Sequence, residues 1–248
     1  MMSPRFAGKR VLITGGTSGM GLAGARRIVR EGGSVIVTGL DRGRVEAARQ
    51  ALANDAIALT NDAADPAAVA ALVETVRAAG SLDGLWLNAG YAALGAIEDV
   101  DAATFDAMMA ANVRGPMLQL AGLSAWLNPG ASVVVTASSS AYEGAALTSL
   151  YAATKGAVIA MARNWARALA PRGIRANVLV PGPIDTNFRH FLPDEARTSF
   201  ENFVLGQVPL SRAGTSDEAA AVALFLLSED SAFVTGSQYA VDGGMMMR

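Results

Sequence analysis

Two side chains of this sequence are spaced to trade a proton with a substrate. Tyr151 and Lys155 stand four residues apart in a helix-like stretch, so both project from one helix face. A free phenol, with a pKa of about 10, is a poor base at neutral pH. An ammonium beside it favours the phenolate and brings that value down. Such a pair serves as general acid when a carbonyl is reduced and as general base when an alcohol is oxidised. Upstream, Ser138, Ser139 and Ser140 follow a run of β-branched residues. A hydroxyl there can hydrogen-bond a substrate oxygen and stabilise charge developing on it. Serines that only satisfy turn backbone are the plainer reading, and it suits Ser139.

A Y-x-x-x-K spacing is common by chance, and its weight comes from its company. Thr14-Gly15-Gly16-Thr17-Ser18-Gly19-Met20-Gly21 lies between an apolar run, Arg10–Thr14, and a helix-like stretch, Gly21–Glu31. Glycines there allow a tight turn and close approach of a pyrophosphate, and the helix start behind them offers unpaired N–H groups at a positive dipole end. The spacing is G-x-x-x-G-x-G, not the G-x-G-x-x-G of the ordinary dinucleotide fingerprint.

These groups need a scaffold, and the rest of the chain supplies one by alternation. Strands are expected at Arg10–Thr14, Ser34–Thr38, Ala56–Thr60, Leu82–Asn88, Ser132–Ser138, Ile174–Val180 and Ser237–Val241. Helices are expected at Gly21–Glu31, Asp41–Leu52, Pro66–Ala79, within Ala102–Leu127 as one or two, at Tyr151–Ala170 and at Ser216–Leu227. The pattern predicts an α/β fold: a doubly wound, Rossmann-like parallel sheet of about seven strands with helices on both faces. No linker or repeat divides residues 1–248, so one catalytic domain is expected. The segment at about 185–214 breaks the rhythm and reads as a substrate lid.

Bulk composition narrows the classes. Of 248 residues, 52% are hydrophobic and 17% charged, which excludes a disordered chain and suits a sheet covered on both faces. A net charge of −2 gives no field for nucleic acid. Without cysteine there is no disulfide, thiolate metal site or cysteine nucleophile, and one histidine, His190, cannot build a multi-histidine site; no metal is expected. No apolar run approaches the ~20 residues of a membrane span and the first residues do not read as a signal peptide, so a cytoplasmic protein without a membrane partner is expected.

The motifs taken in order, Thr14–Gly21, Asp62, Asn88-Ala89-Gly90, Asn112, Ser138, Tyr151-Ala152-Ala153-Thr154-Lys155, Pro181–Thr186 and Asp242-Gly243-Gly244, resemble the short-chain dehydrogenase/reductase family in its compact form. That resemblance implies an NAD(P)-dependent enzyme that moves a hydride between a nicotinamide and a carbonyl/alcohol pair. It implies a catalytic tetrad of Asn112, Ser138, Tyr151 and Lys155. Ser138 is selected from the three serines because the family position lies thirteen residues before the tyrosine. Asn112, or a helix distortion there, would hold a water that links Lys155 to solvent, and Lys155 would also hold the nicotinamide ribose. The cofactor would lie along Gly15, Thr17, Ser18, Gly19, Met20 and Gly21, with Asp62 and Ala63 at the adenine, Asn88, Ala89 and Gly90 beside the strand ends, and Pro181, Gly182, Ile184 and Thr186 at the carboxamide. Thr14 reads as a structural hydrogen-bonder.

After the second strand the sequence runs Thr38-Gly39-Leu40-Asp41-Arg42. In the family an acid that selects NAD would fall at Gly39 and an arginine that selects NADP at Leu40; neither is present. Arg42 stands close enough to serve a 2′-phosphate, which favours NADP(H); Asp41 on the ribose would make the cofactor NAD(H) instead. On the substrate side, Phe188, His190 and Phe191 of the lid, with Ser140, Tyr142, Glu143 and Ala145, are expected to border a pocket for a small to mid-sized hydrophobic carbonyl compound. Two rivals stand beside this reading. One is a 3-oxoacyl-carrier ketoreductase, for which basic residues before the fifth strand would be needed; Ala125–Gly130 has none, leaving Arg172 alone. The other is a non-catalytic nicotinamide sensor, which would normally lack a member of the tetrad. The resemblance also implies a homo-oligomer, a tetramer or dimer, built on Ala102–Leu127, Tyr151–Ala170 and the segment near Gly236–Gly244.

Overall fold

The computed structural model describes residues 4–52, 56–186, 195, 198 and 203–247. Seven strands, β1 (Arg10–Thr14), β2 (Ser34–Gly39), β3 (Ile57–Thr60), β4 (Leu82–Leu87), β5 (Leu127–Thr136), β6 (Arg175–Pro181) and β7 (Gln238–Val241), form one parallel sheet in the order β3-β2-β1-β4-β5-β6-β7. The helices are α1 (Gly19–Arg30), α2 (Arg42–Ala51), α3 (Pro66–Ala79), α4 (Ala102–Met109), α5 (Gly115–Leu123), α6 (Ser140–Glu143), α7 (Ser149–Leu169) and α8 (Ser216–Leu227).

The strands alternate between two apolar layers. Leu12, Val133, Val135, Val178 and Val180 join Leu72 of α3, Leu123 of α5 and Ala162 of α7 on one face. Val11, Ile13, Val134 and Leu179 meet Ile28 of α1, Val45 of α2 and Leu224 of α8 on the other. A sheet covered on both faces needs continuous β-branched and aliphatic strands, which is how these runs read. Helix starts follow local chemistry. Asp41, Asp65 and Asp101 each accept a backbone N–H from the first turn of α2, α3 and α4, and Thr215 and Glu218 form a reciprocal capping box at α8.

Most element ends shift by one or two residues from the sequence reading, and beyond those shifts two features differ from it and one sharpens it. β5 begins at Leu127, which pairs with Leu82 ahead of an irregularity in the ladder. The stretch Ala102–Leu127, read as one or two helices with a distortion at Asn112 in view, is two helices divided by a π-helical turn, Ala110–Arg114. The short helix α6 sits where the sequence read as loop; Gly144, at φ 65°, ends it in the left-handed conformation.

Candidate active site

The chain crosses over at β1. From there β2 and β3 run to one side and β4 to β7 to the other, so the connections after β1 and β4 diverge at the C-terminal strand ends. A crevice at such a switch point is where parallel α/β sheets place ligands. Here it is a cavity of about 430 Å³ lined by the β1–α1 loop, the ends of β4, β5 and β6, α6 and the first turns of α7.

The glycine loop forms one wall. Gly15 has φ 64°, and a Cβ there would lie 3.0 Å from the Ala89 backbone; at Gly21 it would lie 2.4 Å from the Gly15 carbonyl oxygen. Gly19 keeps open the gap to Thr186, whose Cγ2 would stand 3.3 Å from an added Cβ. Ser18 makes no side-chain cap bond to α1, and Ser18, Gly19 and Met20 line the cavity, so the unpaired first amides of the helix stand at its edge. This cradle of backbone without side chains, at a helix N-terminus, fits a dinucleotide pyrophosphate.

The loop is held by polar groups buried beneath it. The Thr14 hydroxyl accepts the N–H groups of Asn88 and Ala89, both at 3.1 Å. The Asn88 amide donates to Gly15 O at 3.2 Å, its carbonyl accepts the Thr136 hydroxyl at 3.0 Å, and that hydroxyl accepts the Trp86 indole N–H at 2.9 Å. The ends of β1, β4 and β5 are thereby locked together. Nothing in the sequence pattern announced the Trp86–Thr136 link.

Ser138, Tyr151 and Lys155 line the same cavity. Lys155 is buried, its ammonium donates to Thr136 O at 3.0 Å, and it lies 5.5 Å from the centre of the Tyr151 ring. Ser138 shares a hydrogen bond with the Tyr151 phenol and also accepts from the Ser140 amide at 3.2 Å. Asn112 sits in the π-helical turn. Its carbonyl accepts the Tyr91 N–H at 3.0 Å, and its amide donates to Tyr91 O at 2.8 Å and to the Thr154 hydroxyl at 3.2 Å. It therefore staples the segment after β4 to α7, one residue from Lys155.

The electrostatics correct one expectation. Burial pushes the Tyr151 phenol up to about 12, the hydrogen bond with Ser138 pulls the other way, and the Glu143 carboxylate adds to the rise. Burial also brings the Lys155 ammonium down to about 8. The sequence showed the cation but not the burial, and burial is the largest cause of the shift.

Other placements differ as well. Ser140 and Glu143 line the cavity, whereas Tyr142 and Ala145 do not: the Tyr142 hydroxyl is hydrogen-bonded to Gln238 of β7, and Ala145 is exposed. Leu40 is 67% exposed, and neither it nor Arg42 lines the cavity, whose wall Arg44 of α2 joins instead. Asp41 is engaged as the cap of α2, accepting the Arg44 N–H at 2.7 Å, with the Arg44 guanidinium 3.8 Å away. A side chain at Gly39 would bring its Cβ 2.1 Å from the Thr17 hydroxyl, so Thr17 closes the position of an NAD-selecting acid. Thr17 and Gly21 are buried and do not line the cavity. Asp62 and Ala63 do not line it either, and the Asp62 carboxylate accepts the Ala64 N–H at 2.8 Å. Asn88, Ala89, Gly90, Pro181, Gly182, Ile184 and Thr186 all line it. Phe188, His190 and Phe191 lie outside the described residues. Sequence reasoning missed Arg44 and Met245; the second is carried in by the turn at Gly243 and Gly244, whose φ values are 64° and 90°.

A family model described as Enoyl-(Acyl carrier protein) reductase matches residues 15–246. Among curated proteins, "Oxidoreductase asL5" of Sarocladium schorii is 36% identical over 245 residues, covering 97% of each chain. "2-(S)-hydroxypropyl-CoM dehydrogenase 3" of Xanthobacter autotrophicus is 35% identical over 252 residues, covering 98% of this chain and 99% of its own. A short-chain dehydrogenase from Burkholderia cenocepacia, solved in complex with NADP, superposes with a TM-score of 0.89 at 33% identity, over 97% of this chain and 99% of that one. The chain belongs to the short-chain dehydrogenase/reductase family, a family of NAD(P)-dependent oxidoreductases.

Proposed function

We propose that this protein reduces the carbonyl of a small to mid-sized, largely apolar compound, and oxidises the matching secondary alcohol in reverse, with NADP(H) as cofactor. The observation that carries the reading is the Tyr151 phenol, hydrogen-bonded to Ser138 at the wall of a cavity that also contains the glycine loop. When bound, the nicotinamide supplies or takes up the hydride. The chain's own residues do the rest. Ser138 and Tyr151 bracket the substrate oxygen and orient the carbonyl. As charge develops on that oxygen, Tyr151 hands over its proton and Ser138 stabilises what remains. A neutral buried phenol is already in the form that reduction requires. Lys155, anchored on Thr136 O, keeps a positive charge beneath the phenol while it is itself protonated, below about pH 8. Asn112 fixes the approach of α7 through Thr154 and Tyr91.

Arg44 on the cavity wall and the closure of Gly39 by Thr17 support NADP(H), as does the bound NADP of the Burkholderia relative. Residues 185–214 act as the lid: its two stems are tied where Asp185 N–H donates to Gly214 O and Gly214 N–H to Pro183 O. Arg172 is committed to the carbonyls of Ser124 and Leu127, which leaves it a poor dock for an acyl carrier. Phe105, Met117 and Leu118 on α4 and α5 are exposed and support a homo-oligomer. The reading includes a cytoplasmic setting; among the described residues no helix is long and apolar enough to cross a membrane. The test is a spectrophotometric screen of NADPH and NADH consumption over aliphatic, cyclic and aromatic ketones. Consumption of NADPH with at least one ketone class is expected; none across the panel overturns the reading.

A further inference from the structure

Three side chains of the cavity wall, tyrosines aside, are ionisable among the described residues: Arg44, Glu143 and Lys155. Arg44 belongs to the end near α2 and faces Asp41, and Lys155 is buried on Thr136 O. Glu143 is different. It closes α6 next to Ser140, it is half-buried, and it makes no hydrogen bond or ion pair with any described residue. Its carboxylate is close enough to Tyr151 to act on the phenol electrostatically. A carboxylate has only acceptor sites, and in a partly desolvated pocket it gains from any O–H or N–H that reaches it and repels a second anion. The remaining walls contrast with it. Leu94, Val204 and Met245 are apolar, Val204 coming from the lid's second stem and Met245 from the C-terminal turn. A Cβ on Gly243 would overlap Val208, so that stem and that turn are packed on one another.

We propose that Glu143 selects the substrate by charge and by donor: a neutral or cationic carbonyl compound with an O–H or N–H group a few atoms from its carbonyl is accepted, and carbonyl compounds bearing a carboxylate, sulfonate or phosphate there are rejected. This rests on the carbonyl-reductase reading above. A repulsive group against the wrong class is as effective a source of specificity as an attraction to the right one.

The experiment compares two matched pairs, methyl acetoacetate with acetoacetate and 4-hydroxy-2-butanone with 2-pentanone, in wild type, Glu143→Gln and Glu143→Lys. Dissociation constants are read by calorimetry with saturating NADP⁺, where the ketones are not reduced, and kcat/KM is read with NADPH. Wild type should favour the neutral ester over the anion at least tenfold and the hydroxyketone over the alkyl ketone at least threefold. Glu143→Gln should bring the charge ratio to within about threefold of unity, and Glu143→Lys should invert it. A wild-type charge ratio near one, or a ratio that neither variant moves, overturns the proposal. Failure of the underlying reading shows separately, as binding that follows this order with no reduction of any ketone.

Discussion

The ionisation of Tyr151 can be isolated by removing it. The chain has four tyrosines, so the ultraviolet difference between wild type and Tyr151→Phe, titrated near 295 nm, reports this phenol alone. Burial and Glu143 hold it up to about 12 against the pull of Ser138. At pH 10 an ordinary tyrosine is half ionised, whereas a group at about 12 is ionised in about one molecule in a hundred. The difference signal at pH 10 should therefore be about one fiftieth of a free tyrosine's, and below pH 9 it should vanish. The kinetic counterpart follows in sign. Reduction uses the neutral phenol and should be flat from pH 6 to about 7.5, then fall as Lys155 loses its proton near 8. Oxidation uses the phenolate, about one molecule in ten thousand at pH 8, and should climb up to tenfold per pH unit in the free enzyme. A phenolate step between pH 7 and 9 in the difference titration would refute the claim that burial keeps this phenol neutral.

Further consequences follow from individual side chains. Replacing Arg44 with Ala removes a half-exposed cation from the cavity wall; NADPH binding, followed by its fluorescence, should weaken about 5–30-fold, the equivalent of ~1–2 kcal/mol, while NADH binding stays within twofold. Equal weakening of both would count against Arg44 as the phosphate's partner. Arg175 is a buried structural cation that donates to Leu226 O at 2.9 Å, Ser228 O at 2.9 Å and the Ser231 hydroxyl at 2.7 Å. Arg175→Met should cost about 3 kcal/mol and lower Tm by ~6–12 °C in a calorimetric scan; an unchanged Tm would mean that those carbonyls find other donors.

Much of the scaffold was legible because it is written in short-range patterns. Short runs rich in β-branched residues such as Val133–Val135 and Val178–Val180, flanked by turn residues and alternating with longer helical stretches, read as strands buried on both faces, and helices α2, α3, α4 and α8 start at Asp or Thr caps visible as single residues. The glycine loop, Tyr151 and Lys155 were found because spacing along a strand end or helix face translates directly into proximity, whereas Ser138 was singled out from its neighbours by the family resemblance. What escaped depends on three dimensions. The resemblance implied a distortion at Asn112, but not that it is a π-helical turn spanning Ala110–Arg114. The helix α6 is four residues long, too short for periodicity, and its actual course sends Tyr142 to β7 while Glu143 faces the cavity. Which arginine at the start of α2 lines the cleft, Arg44 rather than Arg42, depends on how that helix packs and not on its sequence. The rise of the Tyr151 pKa is a burial effect, and burial is a property of packed neighbours rather than of the tyrosine's sequence context.

The central claim is that the Tyr151 hydroxyl delivers the proton to the substrate oxygen while taking little part in holding NADPH. It is tested most directly by the turnover number of Tyr151→Phe on a ketone that the wild type reduces, measured at saturating NADPH and set against that variant's NADPH dissociation constant. Loss of about a thousandfold in kcat with NADPH binding within threefold of wild type is predicted. Turnover within tenfold of wild type would contradict it.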